Sequence, residues 1–247
     1  MSDPCATMNL MNPTKGYEMS KREICLVVDV ETCGGFGSSL VYDLGIAAVV
    51  RTTGEVLESH SLVISDVFFG MTDKMQTAYY AEKIPAYLAG IESGAWSVVT
   101  FWQAWNLVRK MCDRYDIRRT YAYNAAFDRD ALDFTMQTLS KRGRHFFPYG
   151  MRFDCIWGMA CETILSQKSY RKFAVANGMV SDAGNLRTSA ECAFAYMTGN
   201  PNFEEAHTGL ADVEIEIAIL SRCLRTKRRM SNGIIWNPWR IPQGGRV

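Results

Sequence analysis

The sequence lacks a net charge of either sign and contains very little histidine. Its 27 Lys and Arg residues nearly balance 26 Asp and Glu residues, giving a formal charge of +1, and only 3 of its 247 residues are histidine. Proteins that bind nucleic acid through a broad basic surface carry a large positive charge, so the composition argues against that mode of binding. It does not exclude an enzyme that holds phosphates with metal ions and a local basic patch.

Paired cysteine motifs and long apolar runs are also missing. None of the eight cysteines belongs to a CxxC pair, which argues against a zinc ribbon or a thioredoxin-type site. No apolar run approaches the ~20 residues that a membrane helix needs, and the N-terminal stretch has no signal-peptide pattern. We therefore expect a cytoplasmic protein with reduced, mostly buried thiols and no membrane association.

The remaining composition is that of a folded domain, with 48% hydrophobic residues. We expect a flexible arm at residues 1–20, one domain at residues 21–230 and a C-terminal extension at residues 231–247. Strand-like segments come first and then alternate with helical ones, which predicts an α/β fold with a mixed five-stranded sheet and helices on both faces. The five predicted strands are EICLVVDV, VYDLGIAAVV, VLESHSLVIS, RTYAYN and MRFDC.

Two carboxylates stand at the end of the first predicted strand. Asp29 and Glu31 follow a run of apolar residues, and residues i and i+2 of an extended chain project to the same side. Two adjacent like charges are unfavourable unless a cation lies between them. The pair therefore indicates a metal site, although Glu31 could instead turn into solvent at the following loop.

Further acids and a histidine stand at two predicted helix starts. Asp128 lies in YNAAFDRDAL, whereas AHTGLADVEI contains His207 and Asp212. Five residues along a helix turn through about 500°, so this histidine and aspartate cannot point the same way from one regular helix. If Thr208 caps the helix, the imidazole lies in the preceding loop, where Gly209 would ease the turn. It could then reach over the carboxylates without being a metal ligand, although helix-start aspartates and lone histidines are often structural.

In this order and spacing, DVE, YNAAFDRDAL and HTGLAD resemble the three motifs of the DEDDh exonucleases. That family belongs to the ribonuclease H-like superfamily and includes proofreading subunits of bacterial replicative polymerases; the resemblance spans roughly residues 23–224. It implies a ribonuclease H-like fold, two divalent cations (Mg²⁺ or Mn²⁺) and removal of nucleoside 5′-monophosphates from 3′ ends. It also implies that His207 is the general base and that the metal ligands and catalytic acids are Asp29, Glu31, Asp128 and Asp212.

Several departures from the family pattern leave the substrate open. Tyr123 stands where many relatives have histidine, the loop after Glu31 is long and glycine-rich, and residues 66–97 show no family signal. The first candidate substrate is DNA with single-stranded or frayed 3′ ends, with any polymerase partner a separate chain; self-association is also open. The alternatives are an exoribonuclease of the oligoribonuclease or tRNA-trimming type and an inactive fold that binds nucleic acid or a polymerase.

Residues near the motifs are candidates for contacts with the substrate. These are Thr32, Phe36, Asn124 and Phe127, and the two phenylalanines could either stack on a terminal base or pack in the core. The segment RFDCIW resembles a family strand whose aspartate, here Asp154, supports the site from outside. A basic cluster in the last helix could follow a phosphate backbone or compensate the helix dipole. It comprises Arg222, Arg225, Lys227, Arg228 and Arg229.

Overall fold

A mixed sheet forms the centre of the protein. In a computed structural model that describes residues 23–35, 37–140, 145–226 and 228–244, six strands pair in the order β4-β3-β2-β1-β5-β6. The predicted arm at residues 1–20 lies outside these ranges. The strands are β1 (Ile24–Cys33), β2 (Leu40–Val50), β3 (Glu55–Ile64), β4 (Ser97–Val99), β5 (Arg119–Ala122) and β6 (Arg152–Cys155).

The strand directions confirm that the sheet is mixed. β1, β2 and β3 form an antiparallel meander, whereas β5 lies parallel to β1 and β6 lies parallel to β5. Because β1 occupies a central position, its apolar residues are buried on both faces of the sheet. This arrangement explains the nearly continuous apolar run at the start of β1.

The sixth strand, β4, corrects the predicted number of five. It pairs in parallel with the end of β3 at the edge of the sheet. The sequence pattern merged these three residues with the helix that follows, because so short a strand shows no clear alternation. The helix begins only at Phe101, where Thr100 and Gln103 form a capping box.

Helices cover both faces of the sheet, as predicted. Even-numbered residues of β1, such as Leu26, pack in one core with the helices Phe101–Arg114 and Ala125–Leu139. Odd-numbered residues, such as Val27, pack in a second core with the helices Ile156–Thr163 and Gly209–Arg225. The helices in the described ranges are α1 (Ser65–Phe68), α2 (Thr72–Met75), α3 (Ile84–Glu92), α4 (Phe101–Arg114), α5 (Ala125–Leu139), α6 (Ile156–Thr163), α7 (Lys168–Ala176), α8 (Ala190–Thr198) and α9 (Gly209–Arg225).

The described part of the C-terminal extension packs against α6. The backbone N–H of Cys155 donates to the carbonyl of Gly233 at 3.2 Å. Ile235 lies over Gly158, where a Cβ would come within 2.6 Å of the isoleucine Cδ1. The glycine therefore makes room for this segment.

The prediction of buried thiols is confirmed for the described cysteines. The seven cysteines in the described ranges are buried and are not joined in disulfides. No helix among these residues is long and apolar enough to cross a membrane.

Candidate active site

Asp29 and Glu31 lie side by side near the end of β1. Their spacing places both on the face of β1 that packs against α9. Directly after Glu31 the register with β2 shifts, so that Glu31 pairs with Asp43 but Thr32 pairs with Val41. Such a bulge bends and twists the strand next to the site, and both carboxylates line a cleft there.

Asp128 reaches the same cleft from a neighbouring strand. Because β5 is parallel to β1, the carboxyl ends of the two strands meet at one edge of the sheet. α5 begins at Ala125, shortly after β5 ends, and its first turn carries Asp128. This aspartate is 4% exposed.

Two contacts with β2 hold the start of α9. The backbone N–H of Gly209 donates to Asp43 Oδ2 at 2.9 Å. A Cβ on Gly45 would lie only 2.0 Å from the carbonyl carbon of Gly209, so the two backbones need glycine to approach each other. The prediction that Gly209 eases a turn is therefore wrong, since the left-handed residue is His207 itself, with φ 49. Asp212 follows in the first turn of α9.

All five motif residues line one cleft with a volume of about 520 Å³. The potential ligand atoms of Glu31, His207 and Asp212 all lie within 4.8 Å of one another. Residues from β1, α5 and the start of α9 thus come together although they are far apart in the sequence. All four acids and the histidine were placed on or next to these elements from local patterns, but their convergence is a property of the fold.

The carboxylates of the cleft have strongly raised pKa values. Burial is the main cause, and it raises the pKa of Asp212 to about 6, that of Asp128 to about 7 and that of Glu31 to about 9. The pKa of Asp29 is also raised well above its usual value, first by burial and then by the charges of nearby carboxylates. Without a cation, the cluster therefore retains protons near neutral pH.

The cleft has the donor set that a divalent cation requires. Among the described residues, two buried carboxylate oxygens that border it have no hydrogen-bond partner, Asp212 Oδ1 and Glu216 Oε2. An unpartnered buried oxygen is costly, and carboxylate oxygens are the ligands that Mg²⁺ and Mn²⁺ prefer. The residues present therefore fit the divalent cations expected from the motifs.

His207 is held by neighbours that the motifs did not indicate. Its ring stacks on Tyr80, with centroids 4.4 Å apart and an angle of 16° between the planes. Its Nδ1 lies 3.9 Å from Glu205 Oε2, and Lys83 Nζ donates to the carbonyl of Ala206. Burial lowers the pKa of His207, and the positive charge of Lys83 adds to this effect. The imidazole is thus neutral at pH 7 and able to accept a proton.

Three of the four predicted substrate-contacting residues line the cleft: Thr32, Asn124 and Phe127. Phe36 lies outside the described residues. Phe127 is 40% exposed, so the interpretation that it packs in the core is wrong. A second aromatic side chain, Tyr79, also lines the cleft and is 85% exposed. Both rings are available to stack on a base.

Comparisons with known proteins give matches only at the level of structure. No protein-family model and no curated protein matches the sequence. The nuclease domain of 3′hExo, a DEDDh family member whose structure holds rAMP, aligns with a TM-score of 0.54 and 15% identity. The alignment covers 87% of this chain and 99% of that one.

A second solved structure gives a similar result. It describes 3′-end-specific recognition of a histone mRNA stem-loop by a 3′-exonuclease, and it aligns with a TM-score of 0.52 and 11% identity over 83% of this chain and 82% of that one. The fold is that of a DEDDh nuclease domain. The expected ribonuclease H-like α/β architecture is therefore confirmed, and at these identities the comparison concerns the fold alone.

Several residues in the cleft or beside it do not belong to the sequence motifs. Tyr80 and Lys83 belong to residues 66–97, which carry no family signal, and no local pattern connects them with His207. Glu216 could have been found, because it lies four residues after Asp212 and therefore one helical turn further along the same face of α9.

Two predicted features lie away from the cleft. Asp154 accepts hydrogen bonds from Arg119 and from the backbone N–H of Gly233, so it joins β5 and β6 to the C-terminal segment and does not line the cleft. The basic cluster begins at Arg222 near the other end of α9, ten residues and therefore ~15 Å from Asp212 at 1.5 Å per residue. Its described members are exposed there, a position that suits compensation of the helix dipole, and Lys227 lies outside the described residues.

Proposed function

We propose that the protein is a metal-dependent 3′–5′ exonuclease that releases nucleoside 5′-monophosphates from the 3′ end of single-stranded DNA. The observation that carries this proposal is the convergence of four carboxylates and one histidine, from three distant parts of the chain, in one cleft. The fold shared with 3′-exonuclease domains supports the same reaction. We assign the activity to the domain predicted at residues 21–230.

The acids are suited to hold two divalent cations, Mg²⁺ or Mn²⁺. The ligands would be Asp29, Glu31, Asp128 and Asp212. When bound, such cations supply activation of the attacking water and neutralisation of the charge on the phosphodiester. Without a cation, the carboxylates of the cleft would repel the anionic phosphate. The activity therefore depends strictly on metal.

His207 takes the role of the general base. Glu205 lies next to Nδ1 and favours a proton there, which leaves Nε2 as the atom that accepts a proton from the attacking water. The stacked ring of Tyr80 restricts rotation of the imidazole. The lowered pKa of His207 keeps Nε2 unprotonated at neutral pH.

Exposed aromatic rings suit a substrate with an unpaired end. Tyr79 and Phe127 line the cleft and can each offer a face to a base of the last nucleotides. Stacking tolerates any base and needs the strand to be unpaired, which agrees with removal of nucleotides without regard to sequence.

An exoribonuclease is the second candidate. It is favoured by the ligands of the two structural neighbours, since one contains rAMP and the other recognises a histone mRNA stem-loop. Contacts with the 2′-hydroxyl distinguish RNA from DNA. An inactive binding module is disfavoured because every acid of the motifs and the histidine are present. A cytoplasmic location and a separate polymerase partner stay predictions from the sequence.

Digestion of matched oligonucleotides tests the proposal. DNA and RNA of one sequence, labelled at the 3′ or the 5′ end, are incubated with Mg²⁺, with Mn²⁺ or with excess chelator. We expect stepwise shortening from the 3′ end, 5′-monophosphate products, no reaction in chelator and no cleavage of a circular single strand.

The Asp29→Asn variant serves as the control for a contaminating nuclease and should be inactive. Faster digestion of RNA than of DNA would favour the second candidate. Hydrolysis in chelator, or cutting of the circle, would contradict the proposed reaction.

A further inference from the structure

Glu216 is a carboxylate that the motifs do not account for. It lies on α9 one turn beyond Asp212 and is 2% exposed. Both residues line the same cleft. Glu214, two residues earlier on the same helix, is exposed instead, so burial distinguishes these two glutamates of one helix.

The two oxygens of Glu216 have different surroundings. Oε1 accepts a hydrogen bond of 2.9 Å from the backbone N–H of Tyr123, just after β5 ends. Oε2 is buried and has no hydrogen-bond partner among the described residues. The hydrogen bond ties α9 to the segment that leads into α5 and Asp128. This hydrogen bond does not explain why a carboxylate is buried here, because the oxygen of a neutral amide would accept the same bond at a smaller cost of burial.

Glu216 and Asp29 line the same cleft, one from α9 and the other from β1. A buried carboxylate oxygen without a donor is costly, because no hydrogen bond offsets the loss of its hydration. Carboxylates that share one cleft are unfavourable neighbours unless a cation lies between them. Asp29 is also one of the four proposed metal ligands.

We propose that Glu216 is a fifth carboxylate ligand of the metal centre, with Oε2 directed at a cation that Asp29 also binds. This inference rests on the proposed function, because it adds a residue to the same site. The four motif acids and Glu216 would then surround the cations from β1, α5 and two successive turns of α9.

Calorimetric titration with Mn²⁺ of the protein and of three variants tests the proposal. Glu216→Gln removes the charge but keeps an oxygen that can accept the hydrogen bond from Tyr123. Glu216→Asp keeps the charge on a side chain that is shorter by one methylene. Glu214→Gln removes a charge from the exposed face of the same helix and is the matched control.

We expect Mn²⁺ affinity to be highest with glutamate at position 216, lower with aspartate and lowest with glutamine. The loss in Glu216→Gln should be at least ~10- to 100-fold at one of the sites, the range seen for residues that support a metal. The Glu214→Gln variant should bind Mn²⁺ as the unmodified protein does. Thermal unfolding with and without Mn²⁺ provides a readout that does not depend on activity, since bound metal stabilises only a variant that retains the site.

A purely structural role predicts a different order. In that case Glu216→Gln would bind Mn²⁺ normally and Glu216→Asp would unfold at the lower temperature in chelator, because only the latter weakens the bond to Tyr123. That result would overturn the inference and leave the proposed function intact. Absence of Mn²⁺ binding by the unmodified protein would instead overturn the metal-dependent function on which the inference depends.

Discussion

Replacement of His207 tests whether this residue acts as a general base or as a metal ligand. The imidazole lies close enough to Glu31 and Asp212 to join them around a cation, yet its ring is stacked on Tyr80 and its Nδ1 lies beside Glu205. We interpret this arrangement as that of a proton acceptor. Loss of a positioned general base lowers a rate by about 10²- to 10⁴-fold, which corresponds to ~2.7–5.4 kcal/mol.

The backbone of His207 decides which substitution is informative. Its φ of 49 lies in the left-handed region, where alanine costs ~1–2 kcal/mol but asparagine is tolerated. His207→Ala would therefore remove the base and keep the strain that most residues with a Cβ, including histidine itself, have at this φ. His207→Asn removes the base with little strain, so a difference between the two variants measures the contribution of the loop.

Single-turnover rates and Mn²⁺ titrations of both His207 variants complete the experiment, with Asp212→Asn for comparison. We expect the His207 variants to bind Mn²⁺ almost normally and to react slowly, and we expect Asp212→Asn to lose both properties because a ligand charge is removed. If His207→Asn lost Mn²⁺ binding as completely as Asp212→Asn does, the histidine would be a ligand. A normal rate in His207→Asn would refute the assignment of a base.

Three further predictions concern the surroundings of the cleft. Tyr80→Leu should slow the reaction by roughly 2- to 10-fold, which corresponds to the loss of one stacked pair of rings, whereas Tyr80→Phe should not slow it. If Tyr80→Leu caused an equal loss in the His207→Asn background, the tyrosine would not act through the histidine. Gly45→Ala should lower the free energy of unfolding by about 3 kcal/mol in urea, because its Cβ meets the backbone of Gly209. Gly35→Ala should have little effect, because its Cβ would make only an ordinary contact of 3.9 Å with Ser38 Oγ. Equal stability of the two variants would contradict the close approach. In chelator, the stability of the fold should fall as the pH rises above about 4. The motif carboxylates keep their protons in the folded state up to pKa values of about 6 to about 9, whereas the unfolded chain loses its protons near pH 4. Higher stability at about pH 8 than at about pH 5 would refute this prediction.

Local patterns in the sequence were sufficient for much of the fold and for the motif acids. The alternation of a strand places Asp29 and Glu31 on one face, and the turn of a helix requires His207 to precede α9. Both inferences depend only on backbone geometry within a few residues. The same reasoning failed for β4, where three residues are too few to show a period, and for Phe127, whose apolar side chain carries no information on whether it faces a core or a cleft.

The amino-acid sequence by itself determined which residues can do the chemistry and on which side of its own strand or helix each one lies. Only the tertiary structure decided which residues meet. The bond between Asp43 and Gly209 joins residues 166 positions apart, and the bond between Glu216 and Tyr123 spans 93 positions. Such contacts depend on how helices dock on the sheet, and no short-range periodicity encodes them. The sequence places Glu216 on the same face of α9 as Asp212, but only the packing of the helix decided that Oε1 meets the backbone of Tyr123 and that Oε2 is buried at the cleft.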